Sequence, residues 1–210
     1  MMVEYIIFFA VSASASASPG PAVLLSIKNG ATYGLARAFY GVLGNTSANI
    51  LLAIGSVLGL STLILTSSTL FFTIKILGGC YLIYLGIKTW STTKPLAQMY
   101  KDADVILPKE RNRLSIYQEA FLIGITNPKA IVFFTTLFLQ FIDPLENISN
   151  QFFTLLIGFS LQSMIFLTFY AALSSKLHFK FKGIKITRWL NKITGAIFIF
   201  FGAAVMRLNR

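Results

Sequence analysis

The feature that most constrains this chain is a series of long stretches that carry no charge. None lies between Tyr5 and Ile27, between Ala38 and Ile74, or between Gln151 and Ser175. From Ala120 to Ile142 the single charge is Lys129, and Ile76–Ile87 and Ile193–Met206 are shorter clean runs. A helix needs roughly 20 apolar residues to cross about 30 Å of hydrocarbon, and these runs reach that length once flanking Lys, Arg and Trp sit at the interface. They predict an all-α integral membrane protein of six helices, at about 4–26, 39–65, 69–91, 117–142, 151–175 and 188–207. Composition agrees, with 55% hydrophobic and 12% charged residues, whereas soluble domains carry roughly 25% charged.

The net charge of +11 would point to nucleic acid in a soluble chain, but its placement argues against that. Lys28 and Arg37 fall in the first inter-helix loop, Lys88, Lys94, Lys101, Lys109, Arg111 and Arg113 in the third, and Lys176, Lys180, Lys182, Lys185, Arg188 and Lys192 in the fifth. The positive-inside rule makes these three loops cytoplasmic and sends both termini outward. Such loops attract anionic lipid headgroups. Cys80 is the sole cysteine and His178 the sole histidine. A structural zinc site needs several such ligands, so neither a metal nor another cofactor is expected. Gly55 and Gly59 make a small-xxx-small pair of the kind that packs helices within a bundle or across a homodimer.

The stretch SASASASPGP, residues 12–21, breaks the first run. A cleaved signal peptide does not fit, because Met1-Met2-Val3-Glu4 brings a glutamate and no basic residue. A linker does not fit either, since Ala22-Val23-Leu24-Leu25 resumes the apolar run at once. What remains is one membrane helix interrupted at Pro19-Gly20-Pro21. Proline supplies no N–H and clashes with the preceding turn, which strips carbonyls near Ser16 and Ala17 of their partners. In hydrocarbon those groups must be satisfied by protein or by a water-lined cavity. Taken alone, the stretch reads equally well as a kinked helix that only packs.

A second break in the matching place favours function. Gly124-Ile125-Thr126-Asn127-Pro128-Lys129 interrupts the fourth helix. Gly79 and Gly86 of the third helix are spaced as Gly195 and Gly202 of the sixth. Two three-helix repeats, 1–90 and 117–210, follow from this pattern, joined by a basic cytoplasmic linker, 91–116. Three spans per half invert the second repeat relative to the first. Paired broken helices in inverted repeats are a secondary-transporter arrangement. Half-helix N-termini suit a carboxylate and freed carbonyls suit an ammonium, so the breaks match a small zwitterion. Lys129 adds a formal charge at a depth where an ionisable group marks a functional site. Asn45, Thr46, Ser47, Asn49, Gln162 and Ser163 put polar groups in helices two and five, as interhelical bonds or as cavity lining.

The residues reached so far carry a resemblance. PGPAVLL, followed by Gly30, Gly34, Gly41 and Gly44, looks like the first half of the LysE/RhtB family of amino-acid exporters. GGCYLIYLGIK resembles that family's third helix, and FLIGITNPKAIVFF with Gln140-Phe141 its fourth. The likeness implies a multi-pass inner-membrane exporter of amino acids or related metabolites, working by alternating access and driven by proton entry as an antiport. It also implies that Pro19, Gly20, Pro21, Asn127, Pro128 and Lys129 surround the transport path. With Ser16, Asn45, Thr126, Gln162 and Ser163 these form the expected substrate site. Where many relatives carry an acidic residue, this chain reads Gly44-Asn45-Thr46-Ser47 and Leu161-Gln162-Ser163-Met164. That leaves Glu119, Asp143 and Lys129 as candidates for the coupling proton. Two other classes stay open: a metal or cation exporter on the same fold, and a membrane-embedded enzyme, for which Ser16 or Ser163 beside Lys129 is the only conceivable dyad. An enzyme is not the expectation.

Overall fold

A computed structural model describes residues 2–66, 68–91, 111–143, 146–177 and 184–207. Among them every regular element is a helix. In chain order these are α1 (Met2–Ala17), α2 (Pro21–Thr66), α3 (Ser68–Ser91), α4 (Arg113–Ile125), α5 (Pro128–Val132), a π-helical stretch (Phe133–Phe138), α6 (Ile148–Leu177) and α7 (Ile184–Arg207). The spans Pro21–Gly59 and Ile148–Lys176 are each long and apolar enough to cross a bilayer, and Glu4–Ala17 and Asn191–Phe200 are shorter apolar helices. His178, Lys94, Lys101, Lys109, Lys180 and Lys182, with linker residues 92–110, lie outside the described residues.

The first cytoplasmic loop expected around Lys28 and Arg37 is instead helical. A half-helix restarts at Pro21, runs to residue 33, and turns once at Gly34 into the long second arm of α2. Gly34 has φ 76° and ψ 168°, a region open to glycine and strained for other residues. One residue therefore does the work that the charge pattern assigned to a loop. Lys28 is accordingly buried, 7% exposed.

The half-helix and the second arm of α2 pack against α4 on one side and α6 on the other, while α3 pairs with α7. The α3–α7 contact is reciprocal. A Cβ on Gly202 would lie 2.6 Å from the Gly79 carbonyl oxygen, and one on Gly195 would lie 2.6 Å from that of Gly86. Gly79 thus faces Gly202 and Gly86 faces Gly195, so the helices run antiparallel with backbones touching. By contrast, a Cβ on Gly55 or Gly59 would meet nothing within 4 Å among the described residues.

At one end of the bundle the core is aromatic. Phe8 of α1, Phe133, Phe134 and Phe138 of the π-helical stretch, Phe159 of α6 and Phe198 of α7 are buried together. The Phe134 carbonyl takes a hydrogen bond from the Ser56 hydroxyl, which ties the second arm of α2 to the π-helical stretch. This cluster packs α1 against the π-helical stretch that directly follows α5.

Candidate functional site

The first break leaves specific carbonyls without helical partners. The last α-helical bond of α1 runs from the Ser18 N–H to Ser14 O (3.1 Å), and the next helix begins with the Leu24 N–H on Gly20 O (2.9 Å). Helical geometry would pair Ala15 O with the N–H of residue 19 and Ala17 O with that of residue 21. Both are prolines and have no N–H to give. The prolines therefore leave the carbonyls of Ala15 and Ala17 without helical partners, at the place around Ser16 and Ala17 that sequence reasoning indicates.

Two side chains from elsewhere satisfy them. The Lys129 ammonium donates to Ala15 O at 2.8 Å and to Ser18 O at 3.0 Å. The Tyr170 hydroxyl donates to Ala17 O at 2.7 Å. Gly20 lies directly beside the ammonium, for a Cβ there would sit 3.2 Å from Lys129 Nζ. The segments 19–20 and 127–129, more than a hundred residues apart, thus meet in one site.

The second break closes its own valences. Both the N–H and the hydroxyl of Thr126 donate to Leu122 O, at 3.1 and 2.7 Å. Asn127 is 5% exposed and caps α5, its Oδ1 accepting the Lys129 N–H at 3.1 Å. Asparagine there answers one of the donors that a helix start leaves free, and Pro128 at the first helical position lacks a donor to satisfy. The cap fixes the Lys129 backbone, so the side chain is aimed at α1 by local structure.

The remaining expected residues divide. Asn45 is buried and lies against the break, its Oδ1 3.0 Å from where a Gly124 Cβ would stand. Ser16 is half-buried in the last turn of α1, and Pro21, Thr126 and Pro128 are exposed. Gln162 sits one turn up from the break: its Oε1 accepts from the Ser12 hydroxyl, and its Nε2 donates to Phe9 O at 3.1 Å. Its partners are helix α1 groups, which is the interhelical-bond alternative. Ser163 is buried beside it. Lys129 serves as donor to two carbonyls, an arrangement unlike a base held on a serine hydroxyl. Cys80 is exposed, its Sγ 3.9 Å from Met206 Sδ. No group of three or more potential metal-binding side chains forms among the described residues.

Sequence reasoning passed over Tyr170, although a tyrosine in the middle of an apolar helix signals a hydroxyl in need of a partner. It also missed how Lys28 is used. The Lys28 ammonium lies 3.1 Å from Glu119 Oε1, and the other carboxylate oxygen takes Arg111.

The fold and this site define a class: helical membrane proteins built around two interrupted helices whose broken ends touch. Residues 13–209 match the family described as LysE type translocator, and the chain belongs to that family. It is therefore a transporter and not an enzyme. It is 32% identical over 187 residues to an uncharacterized membrane protein of Vibrio cholerae, covering 88% of this chain and 87% of that one. A homoserine/homoserine lactone efflux protein of Salmonella typhi is 32% identical over 189 residues, covering 90% and 88%. A leucine efflux protein of Salmonella choleraesuis is 30% identical over 194 residues, covering 91% and 89%. No solved structure gives a significant match.

Proposed function

We propose that this protein exports amino acids or closely related small zwitterions across the inner membrane, by alternating access around the paired breaks and in exchange for protons. The observation that carries the reading is the Lys129 ammonium resting on the Ala15 and Ser18 carbonyls. A free ammonium is chemically equivalent to the lysine head, so a cargo ammonium can take the same carbonyls. The cargo carboxylate then receives Lys129 and the N–H groups at the start of the half-helix that begins at Pro21. Charge-assisted hydrogen bonds of this kind contribute about 1.5–3 kcal/mol each. Exchange of one ammonium for another keeps every carbonyl satisfied throughout, which is what a dry membrane interior requires.

The names of the efflux relatives support an amino-acid cargo, and the reciprocal glycine contact of α3 with α7 supports two inverted repeats, 1–90 and 117–210, related through that pair. In this reading Ser16, Pro19, Gly20, Pro21, Asn45, Thr126, Asn127, Pro128, Lys129, Gln162 and Ser163 surround the path, with Gln162 holding α1 in register. Both termini face outward, and the basic cytoplasmic ends rest on anionic lipid. Glu119, Asp143 and Lys129 are the groups able to carry the coupling proton.

Cells expressing the protein and loaded with a panel of dipeptides test this directly. The expected result is extracellular accumulation of one or a few free amino acids above control cells, diminished when the proton gradient is collapsed. Equal release from expressing and control cells across the panel overturns the cargo class, and release that ignores the gradient overturns the coupling.

A further inference from the structure

Between the breaks and the basic end of the bundle lies a polar seam that nothing above accounts for. Ala22, Leu25, Ser26 and Asn29 recur at i, i+3, i+4 and i+7, which puts them on one face of the half-helix 21–33. Across from them stand Gly41 and Asn45 of the second arm of α2, with Ala120 and Leu167 at the sides, around a cavity of about 10 Å³. That is room for about one water molecule. Asn29 is 1% exposed, and neither its Nδ2 nor its Oδ1 has a hydrogen-bond partner. Gly41 makes the space its amide occupies, since a Cβ there would come within 2.9 Å of Asn29 Nδ2. A buried amide left unpaired at both ends costs about 1–3 kcal/mol per group. The Ser26 hydroxyl donates to Leu167 O at 2.7 Å across to α6, but packing gives no reason for the unpaired Asn29 amide on this face, whereas a seam that opens to a polar solute does.

The seam has two ends. Ala22 is two residues from Gly20, which adjoins the Lys129 ammonium. Asn29, about 10 Å further along the half-helix, adjoins Lys28, whose ammonium is locked to Glu119, with Arg111 on the other carboxylate oxygen. Immediately outside is an open hollow of about 460 Å³ lined by Arg37, Arg111 and Arg113. Arg113 also stacks over the Tyr40 ring at 5.2 Å. A basic mouth, an ion-paired constriction, a narrow amide-lined cavity and the paired breaks therefore follow one another along a single half-helix.

We propose that Ser26, Asn29 and Asn45 line the cytoplasmic leg of the path for a small zwitterionic solute, and that the Lys28–Glu119–Arg111 cluster is the gate that shuts it. The proposal rests on the exporter reading above for its cargo, but the path itself can be tested without knowing what is carried. Glu119 joins the half-helix to the start of α4, so loss of its charge frees the half-helix to swing about Gly34. The basic hollow draws the cargo carboxylate to the mouth, and the Asn29 amide offers donor and acceptor to the two ends of the solute in transit.

The test is thiol accessibility in the full chain. In a Cys80→Ser background carrying Ser26→Cys, a membrane-impermeant methanethiosulfonate is applied to inside-out vesicles and, separately, to right-side-out vesicles. Labelling is expected from the cytoplasmic face only, and slowly. Adding Glu119→Gln, or independently Lys28→Met, is expected to speed it about tenfold, a shift of about 1.4 kcal/mol in the closed–open balance. Labelling from the outer face, equal labelling from both faces, no labelling from either, or a rate unmoved by both gate variants overturns the proposal. Labelling as expected in a protein that exports no amino acid keeps the path and removes the cargo reading.

Discussion

The two breaks solve the same problem in opposite ways. At 126–127 the chain satisfies itself: Thr126 returns two bonds to Leu122 O, and Asn127 caps the helix that follows. At 19–21 two prolines strip two carbonyls, and the partners are imported, Lys129 from the other break and Tyr170 from α6. The second break is a finished piece of local structure, and the first is complete only while its neighbours stay in place. The lesson is directional. Anything that draws Lys129 away leaves its own helix intact and uncaps α1, so the site responds to an anion through its N-terminal helix.

That asymmetry is open to attack, most severely through the donor. Lys129→Ala removes two charge-assisted bonds of about 1.5–3 kcal/mol each, which corresponds to a loss of efflux of about 100-fold or more. Immunoblotting of membranes is expected to show the protein still inserted; efflux near the parental rate would break the comparison at its root. Pro19→Ala comes next. It returns an N–H to residue 19, so Ala15 O regains a helical partner and Lys129 loses one of its two. Efflux is expected to fall about tenfold with no loss of thermal stability in detergent, whereas a destabilised protein would show that the proline itself holds the structure.

Tyr170→Phe strips the partner of Ala17 O and leaves Lys129 in place. Buried hydrogen bonds in membrane proteins average about 0.6 kcal/mol and reach about 1.7, so the melting temperature should drop by a few degrees. The matching change at the self-contained break is Thr126→Val. There the Thr126 N–H still serves Leu122 O, and a shift below about 0.5 kcal/mol is expected. A larger effect for Thr126→Val than for Tyr170→Phe would reverse the assignment of which break depends on its surroundings.

Both breaks could be read from the residues, because proline and glycine act on the backbone wherever they stand. Lys129 was legible too, since a lone charge in an apolar run has few structural uses. Its partners were not: which carbonyls it reaches depends on how α1 and α5 cross, and helical periodicity holds no information on crossing. The charge pattern misled at Lys28. Basic residues cluster between spans and so point to a loop there, while the fold uses a single positive-φ residue, Gly34, as the turn and pairs Lys28 with Glu119. Gln162 was equally ambiguous on paper, and its bonds to Ser12 and Phe9 place it in the packing of α1 against α6. The glycine spacing shared by the third and sixth helices was visible, but the facing of Gly79 on Gly202 and Gly86 on Gly195 needed three dimensions.

Those four glycines also determine how the α3–α7 pair can respond to force. Where side chains interlock, one helix can move along another only by jumping between discrete rotamer settings. Here backbone meets backbone at the four glycines, and Ile83, Ile199 and Met206 of the facing helix reach over them, so side chains hold the register as well. The pair therefore behaves as a close-fitting seam: stiff against separation and held in register along its length. A methyl group at any one of the four positions would act as a grain of sand in it.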